Sequence, residues 1–195
     1  MAIRDTPKWR MRQRLAAARR AVPAAVREAE AAALAAALIT APLPPGLPGT
    51  VCGYWPVGSE PGSPELLDGL ARRGCRVLLP VVDVPLDWAE YTGRDSLRAG
   101  PLGLLEPAGP RLGSRAIACA ALVLVPALAV DRNGIRLGRG GGHYDRTLPL
   151  ATPGTPLVAI VRDEELVPSL PVEAHDVPVT AVLTPGRGLL ALGTS

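Results

Sequence analysis

Apolar residues along this chain fall in short unbroken runs more than in alternation: residues 51–55, 76–82, 122–125, 157–161 and 181–183 are apolar at nearly every position. A strand that is apolar on both faces must be covered on both, so these runs predict a mainly parallel sheet with helices on each side. The segments between them fit that reading. Residues 65–73 read as a helix closed by Gly74, the residue type that ends helices in the left-handed conformation. Residues 7–38 are rich in Ala and Arg and read as a helical region that restarts near Pro23, because proline fits a first helical turn but not an interior. Pro42, Pro44, Pro45 and Pro48 then predict a stiff linker, and residues 56–64 a loop. Residues 88–105 alternate in short pieces around Gly93 and Gly100, which predicts a hairpin inserted outside the main sheet. The longest apolar stretch, 116–130, contains Pro126 and falls short of the roughly 18–20 residues that span a bilayer, so it reads as a buried strand. The expected architecture is α/β: one domain, a mainly parallel sheet with helices on both faces, an N-terminal helical region and an inserted hairpin. No membrane partner is expected.

Composition sharpens this picture in three places. A length of 195 residues suits a single core, and with no Phe and only 3% aromatic residues that core must be built from Ala, Val and Leu. The net charge of +3 is uneven, because residues 1–20 carry seven basic side chains against Asp5 alone, giving +6 and leaving −3 for the rest. A mildly acidic body argues against a broad nucleic-acid face, although the basic start admits an RNA-binding arm or an organelle-targeting segment as other readings. Cys52, Cys75 and Cys119 are odd in number, widely spaced and set in apolar runs. They suggest neither a metal site nor a disulfide framework, and a reducing cytoplasm fits them. A monomer acting on small molecules is expected.

The chemistry concentrates after the third apolar run, where Arg136-Leu137-Gly138-Arg139-Gly140-Gly141-Gly142-His143-Tyr144-Asp145-Arg146 follows a turn. Glycines let backbone N–H groups approach a ligand closely, and Arg136 and Arg139 add positive charge, so an anion such as phosphate is the first candidate. No Lys-Ser/Thr pair follows the glycines, which excludes a Walker A loop, and His143 stands where a dinucleotide fingerprint needs its last glycine. A plain glycine turn that starts a helix at Tyr144 is the competing reading. Asp145 is a poor phosphate ligand by itself but becomes sensible if Mg²⁺ lies between it and a nucleoside triphosphate; otherwise it is an acidic residue in a first helical turn. Lys8 and Arg12 stand four apart on the first helix and leave one face, either toward the same phosphates or as a solvated basic face. Lys8 is also the only lysine among twenty arginines.

These residues resemble the 5-formyltetrahydrofolate cyclo-ligase family, also called methenyltetrahydrofolate synthetases. The resemblance covers the run from Leu122 to Asp131, then Gly134-x-Arg136-Leu137-Gly138-Arg139-Gly140-Gly141-Gly142-x-Tyr144-Asp145-Arg146. It extends to Lys8-x-x-x-Arg12, Tyr54-Trp55-Pro56 with Glu60, Arg76-Val-Leu-Leu-Pro80, Gly103-Leu-Leu-Glu106-Pro107 and His175-Asp176-Val177-Pro178-Val179. It implies ATP- and Mg²⁺-dependent closure of 5-formyltetrahydrofolate to 5,10-methenyltetrahydrofolate, through phosphorylation of the formyl oxygen, attack by N10 and loss of phosphate. A non-catalytic relative that binds folate or nucleotide as a sensor or store is the alternative.

By that resemblance Lys8, Arg12 and the stretch Arg136, Leu137, Gly138, Arg139, Gly140, Gly141, Gly142, His143 and Tyr144 bind ATP. Arg139 and Tyr144 stand at the reacting centre, Trp55, Glu60, Arg139 and His143 contact the reduced folate, and Asp145 and Asp176 bring Mg²⁺ to the phosphates. Two departures stand out. His143 occupies a position usually held by Phe or Tyr, and Thr180 one where many members carry a second aspartate.

Overall fold

The computed structural model describes residues 6–41 and 48–193. All five apolar runs become strands of one seven-stranded sheet: β1 (Thr50–Cys52), β2 (Arg76–Val81), β6 (Ala120–Pro126), β9 (Leu157–Ile160) and β11 (Ala181–Thr184). They lie in the order β11-β9-β6-β1-β2 and are mutually parallel. Antiparallel strands close both edges: β3 (Asp87–Glu90) beside β2, and β12 (Gly188–Ala191) beside β11. The stretch 116–130 is not one strand: a 3-10 turn opens it, β6 ends at Pro126, and Ala129 and Val130 begin a separate short strand.

The hairpin predicted over residues 88–105 divides. Its first part is β3, so Trp88 belongs to the main sheet, where it is fully buried. Only β4 (Leu97–Ala99) and β5 (Leu105–Pro107) pair apart from it. A third small sheet joins β7 (Ala129–Asp131), β8 (Arg136–Leu137) and β10 (Leu166–Val167).

The N-terminal region is two helices, α1 (Pro7–Ala21) and α2 (Ala24–Thr40), divided at Pro23 as its missing N–H requires. Thr6 caps α1 through its side chain, and Ser63 does the same for α3 (Pro64–Arg72), which Gly74 follows at φ +81°. Of the predicted proline linker, Pro42, Pro44 and Pro45 lie outside the described residues.

One face of the sheet packs Leu34 and Leu38 of α2 and Leu66, Leu67 and Leu70 of α3 against Val51, Leu79, Leu122 and Leu124. The other face, with Val123, Val125 and Ala159, is covered by Ile117, Leu148 and Tyr144. These come from 3-10 turns and the short α4 (His143–Thr147), so the helical cover there is much slighter than on the first face. Among the described residues no helix is long and apolar enough to cross a membrane.

Candidate active site

Parallel strands deliver their carboxyl ends to one edge of the sheet, and open α/β sheets place ligands there. A cavity of about 500 Å³ opens at that edge, where Tyr54 and Trp55 follow β1, Pro80 and Val82 end β2, and Pro126, Ala127 and Leu128 leave β6. The glycine loop does not spring directly from the end of β6. Instead the β7–β8 hairpin turns the chain back, and Leu128 N–H bonds to Leu137 O at 2.7 Å to fix that return.

Of the fifteen site residues expected from the sequence, fourteen line this cavity. The exception is Leu137, whose side chain is buried with Ala129, Ile135 and Leu170. In the loop, Gly140 and Gly142 adopt φ of +99° and +66°, conformations that side chains with a Cβ rarely take. α4 begins at His143, one residue before the expected Tyr144. Thr147 ties this turn down: its hydroxyl donates to His143 O at 2.8 Å and accepts from Leu86 N at 3.0 Å. His143 Nδ1 lies 3.4 Å from Asp83 O.

The charged groups are paired across distant parts of the chain. Lys8 Nζ donates to Asp176 Oδ2 at 3.1 Å and approaches Glu173 Oε2 at 3.4 Å. Arg12 Nε donates to Gly138 O at 2.8 Å. Arg136 pairs with Asp145 Oδ1, leaving its own buried Nε without a hydrogen-bond partner. Arg139 Nη2 reaches Glu60 Oε1 at 3.0 Å, and the other Glu60 oxygen accepts from Val57 N at 3.0 Å. Arg139 is exposed and Glu60 largely buried, so the pair reaches from the rim of the cavity inward.

Titration behaviour follows from these surroundings. Burial raises the Asp176 carboxyl, but the Glu173 N–H and the Lys8 ammonium outweigh it and hold the group below its ordinary value. Burial, with the Glu60 carboxylate second, pushes the Tyr144 phenol well above its usual range. It therefore remains a protonated donor at neutral pH, and its buried hydroxyl has no hydrogen-bond partner. An unpaired buried hydroxyl beside a cavity is a cost that a bound acceptor would remove.

Trp55 lies at the cavity wall and packs on Tyr91, ring centroids 6.1 Å apart. Trp88 is not among the lining residues. Thr180, at the position where many family members carry a second aspartate, does not line the cavity either; its hydroxyl donates to Leu157 O at 3.1 Å and accepts from Leu157 N at 3.0 Å, clipping two strands together. Sequence reasoning missed the apolar walls, among them Val82, Leu86, Leu104 and Leu128, and the polar residues Arg19, Glu173 and His175. The apolar residues carry no signal that separates a wall from a core. Glu173 and His175, by contrast, flank a residue already singled out.

Residues 4–185 match the sequence profile of the 5-formyltetrahydrofolate cyclo-ligase family. The chain belongs to that family. It is 50% identical over 192 residues to a 5-formyltetrahydrofolate cyclo-ligase of Mycolicibacterium smegmatis, covering 95% of this chain and 97% of that one. It is 34% identical over 143 residues to the Escherichia coli K12 enzyme of the same name, covering 71% and 79%. The fold matches a 5,10-methenyltetrahydrofolate synthetase of Aquifex aeolicus, with a TM-score of 0.80 at 23% identity over 97% of this chain and 96% of that one. It also matches one from Mycoplasma pneumoniae, with a TM-score of 0.72 at 17% identity over 91% and 98%. Membership of the cyclo-ligase family makes the chain an enzyme.

Proposed function

We propose that this protein is an ATP-dependent 5-formyltetrahydrofolate cyclo-ligase of the cytoplasm, using Mg²⁺ and yielding 5,10-methenyltetrahydrofolate, ADP and phosphate. One observation carries the reading: cationic, acidic and glycine residues from both ends and the middle of the chain meet on one cavity. Some of these groups also tie α1 to the body, but exposed Arg139, the glycines at positive φ and the unpaired Tyr144 hydroxyl on the same cavity suit charged ligands brought together there.

The N-formyl oxygen is a poor leaving group as it stands. It attacks the γ-phosphorus of ATP, the bond to ADP breaks, and the formyl carbon becomes an iminium phosphate. N10 then forms the new C–N bond, the C–O bond breaks, and phosphate departs with the proton that N10 gives up. The protein's task is to align two substrates and neutralise charge, and little covalent chemistry falls to it. Arg139 at the rim neutralises the transferring phosphoryl group, Lys8 and Arg12 hold the other phosphates, and the glycine loop gives them backbone donors. Glu60 receives the amino and ring N–H donors of the pterin, and Trp55 and His143, on the same cavity, contact the reduced folate. Tyr144 offers its phenol O–H close to the reacting atoms.

Asp145 and Asp176 suit Mg²⁺ by donor type, since hard carboxylate oxygens are what it takes, and each has one oxygen engaged with a neighbouring cation, Oδ1 of Asp145 and Oδ2 of Asp176. When bound, the ion supplies charge neutralisation at the phosphates. The test is direct: purified protein with 5-formyltetrahydrofolate, ATP and Mg²⁺ should generate the ultraviolet absorbance of the methenyl product. Omission of ATP should abolish it, and a protein that makes no such product with all components present refutes the proposal.

A further inference from the structure

Helix α1 carries Lys8 and Arg12 to the cavity, yet it has little apolar hold on the body. Of its fifteen residues only Lys8 and Arg19 are buried. Met11 and Leu15 are partly buried against the small cluster around Ile135 and Leu137. At about 100° per residue, Lys8, Arg12, Leu15 and Arg19 fall within roughly 60° of one another, so a single face docks the helix and three of its members are cations. Lys8 ends on Asp176 and Glu173, Arg12 on Gly138 O, and Arg19, about 16 Å along the axis from Lys8, on Glu165.

The Arg19 contact differs in kind from the other two. Its Nε and Nη2 each meet one oxygen of Glu165 at 2.7 Å, and Nη2 also donates to Ala127 O at 2.6 Å. Both side chains are 3–4% exposed. Glu165 Oε2 also accepts from Arg162 N at 2.8 Å. Arg162 in turn donates to Glu30 of α2 at 2.8 Å and to Ser59 O, beside Glu60, at 3.3 Å.

We propose that Arg19 is the positioning residue for the nucleotide half of the site: its fork on Glu165 sets the place and rotation of α1, and so of Lys8 and Arg12. The inference rests on the reading in which those two side chains bind ATP. On that reading Lys8 leaves Asp176, and Arg12 leaves Gly138 O, to meet phosphate oxygens. A helix that gives up the Lys8 and Arg12 contacts to a ligand is still held by the Arg19 fork. Arg19 has protein partners on every bond described, and a guanidinium–carboxylate fork fixes orientation as well as distance, which an ammonium cannot do.

Arg19→Met keeps the apolar stem and leaves Glu165 with the Arg162 N–H, and with Arg162 Nη1 at 3.8 Å. With the full chain, its KM for ATP should rise tenfold or more, while kcat and the KM for 5-formyltetrahydrofolate stay within about threefold. Arg19→Lys should fall between it and the wild type, and carries the same comparison if Arg19→Met does not fold. In a Lys8→Ala/Arg12→Ala background the Arg19 effect should vanish, because it acts through those residues. Hydrogen exchange should quicken in α1 and not in the strands. An unchanged KM for ATP with α1 loosened overturns the proposal. So does an Arg19 effect that persists undiminished in the Lys8→Ala/Arg12→Ala background, which would make Arg19 itself a ligand contact. If the wild type gives no ATP-dependent product, the functional reading fails instead, and calorimetric titration of ATP into the same variants then decides the positioning claim.

Discussion

Asp131 ties the turn after β7 to the segment that begins at Leu170. It is 1% exposed, and its carboxylate accepts three backbone N–H bonds: from Asn133 at 2.9 Å and Ile135 at 3.0 Å on Oδ1, and from Leu170 at 3.0 Å on Oδ2. The first two shape the turn that delivers Arg136 and the glycine loop; the third pins the start of the segment that runs to Asp176. A hydrogen bond to a charged group contributes about 1.5–3 kcal/mol net. Asp131→Asn keeps an acceptor for the turn but sets an amide NH₂ against Leu170 N–H, and should cost about 2–3 kcal/mol. Asp131→Ala strands all three donors and should cost about 4 kcal/mol or more on the same scale. With a urea m-value of about 2 kcal/mol per molar, the unfolding midpoint should fall by about 1 M for Asn and about 2 M for Ala. The Asn variant should also raise the KM for ATP, because the Asp176 segment loses its anchor. A midpoint shift below about 0.3 M for Asp131→Asn at unchanged m would show that the buried carboxylate does not organise this region.

Asp145→Asn should lower turnover and flatten its dependence on Mg²⁺ concentration, and should also lower the thermal midpoint, since it removes the charge partner of buried Arg136; unchanged kinetics in a magnesium titration would exclude Asp145 from the metal. Because the folded protein holds the Asp176 pKa below its ordinary 3.8, the stability it contributes is complete above that value and is lost as pH falls through the depressed folded value. Acid titration of the unfolding free energy should therefore show a steeper loss below about pH 4 in the wild type than in Asp176→Asn, and identical acid limbs would contradict the assignment. Burial pushes the Cys52 thiol up to about 12, and Cys75 is buried, whereas Cys119 is exposed. Iodoacetamide at pH 8 should label one thiol quickly and the other two only after unfolding, which intact-mass measurement reads directly.

The five parallel strands were legible because their burial on both faces leaves runs rich in Val and Leu, whereas the apolar run 31–39 is mostly Ala and lies in an Ala-rich stretch that reads as helix. The edge strands were not: β12 alternates over only four half-exposed residues, and β3 sets two buried residues between Asp87 and Glu90, so it read as part of the inserted hairpin. In the site, the glycine loop with Arg136 and Arg139 pointed to an anion by residue type, and Lys8 and Arg12 stood out by their spacing. Glu60 and Asp176 came only from the family resemblance, since a loop carboxylate alone looks like any solvated group; all of them line one cavity. Two things escaped. The docking face of α1 carries Lys8, Arg12 and Arg19 where an ordinary amphipathic helix carries leucines, so hydrophobic periodicity points nowhere. Leu137 sits inside a motif of ligand-facing residues yet turns the other way, because β8 sends successive side chains to opposite sides.

The bond between Lys8 and Asp176 joins residues 168 apart in sequence, and those of Arg12 and Arg19 span 126 and 146. Contacts of that separation form late, after the loop between them has been ordered, and they form during synthesis only when the later partner has left the ribosome. A nascent chain carrying the glycine loop but not yet the Asp176 segment therefore lacks the contacts that seat Lys8. The topology thus makes assembly of the cavity conditional on the segment around Asp176: a growing chain that has not yet released it has no seat for Lys8, whatever else of it has folded.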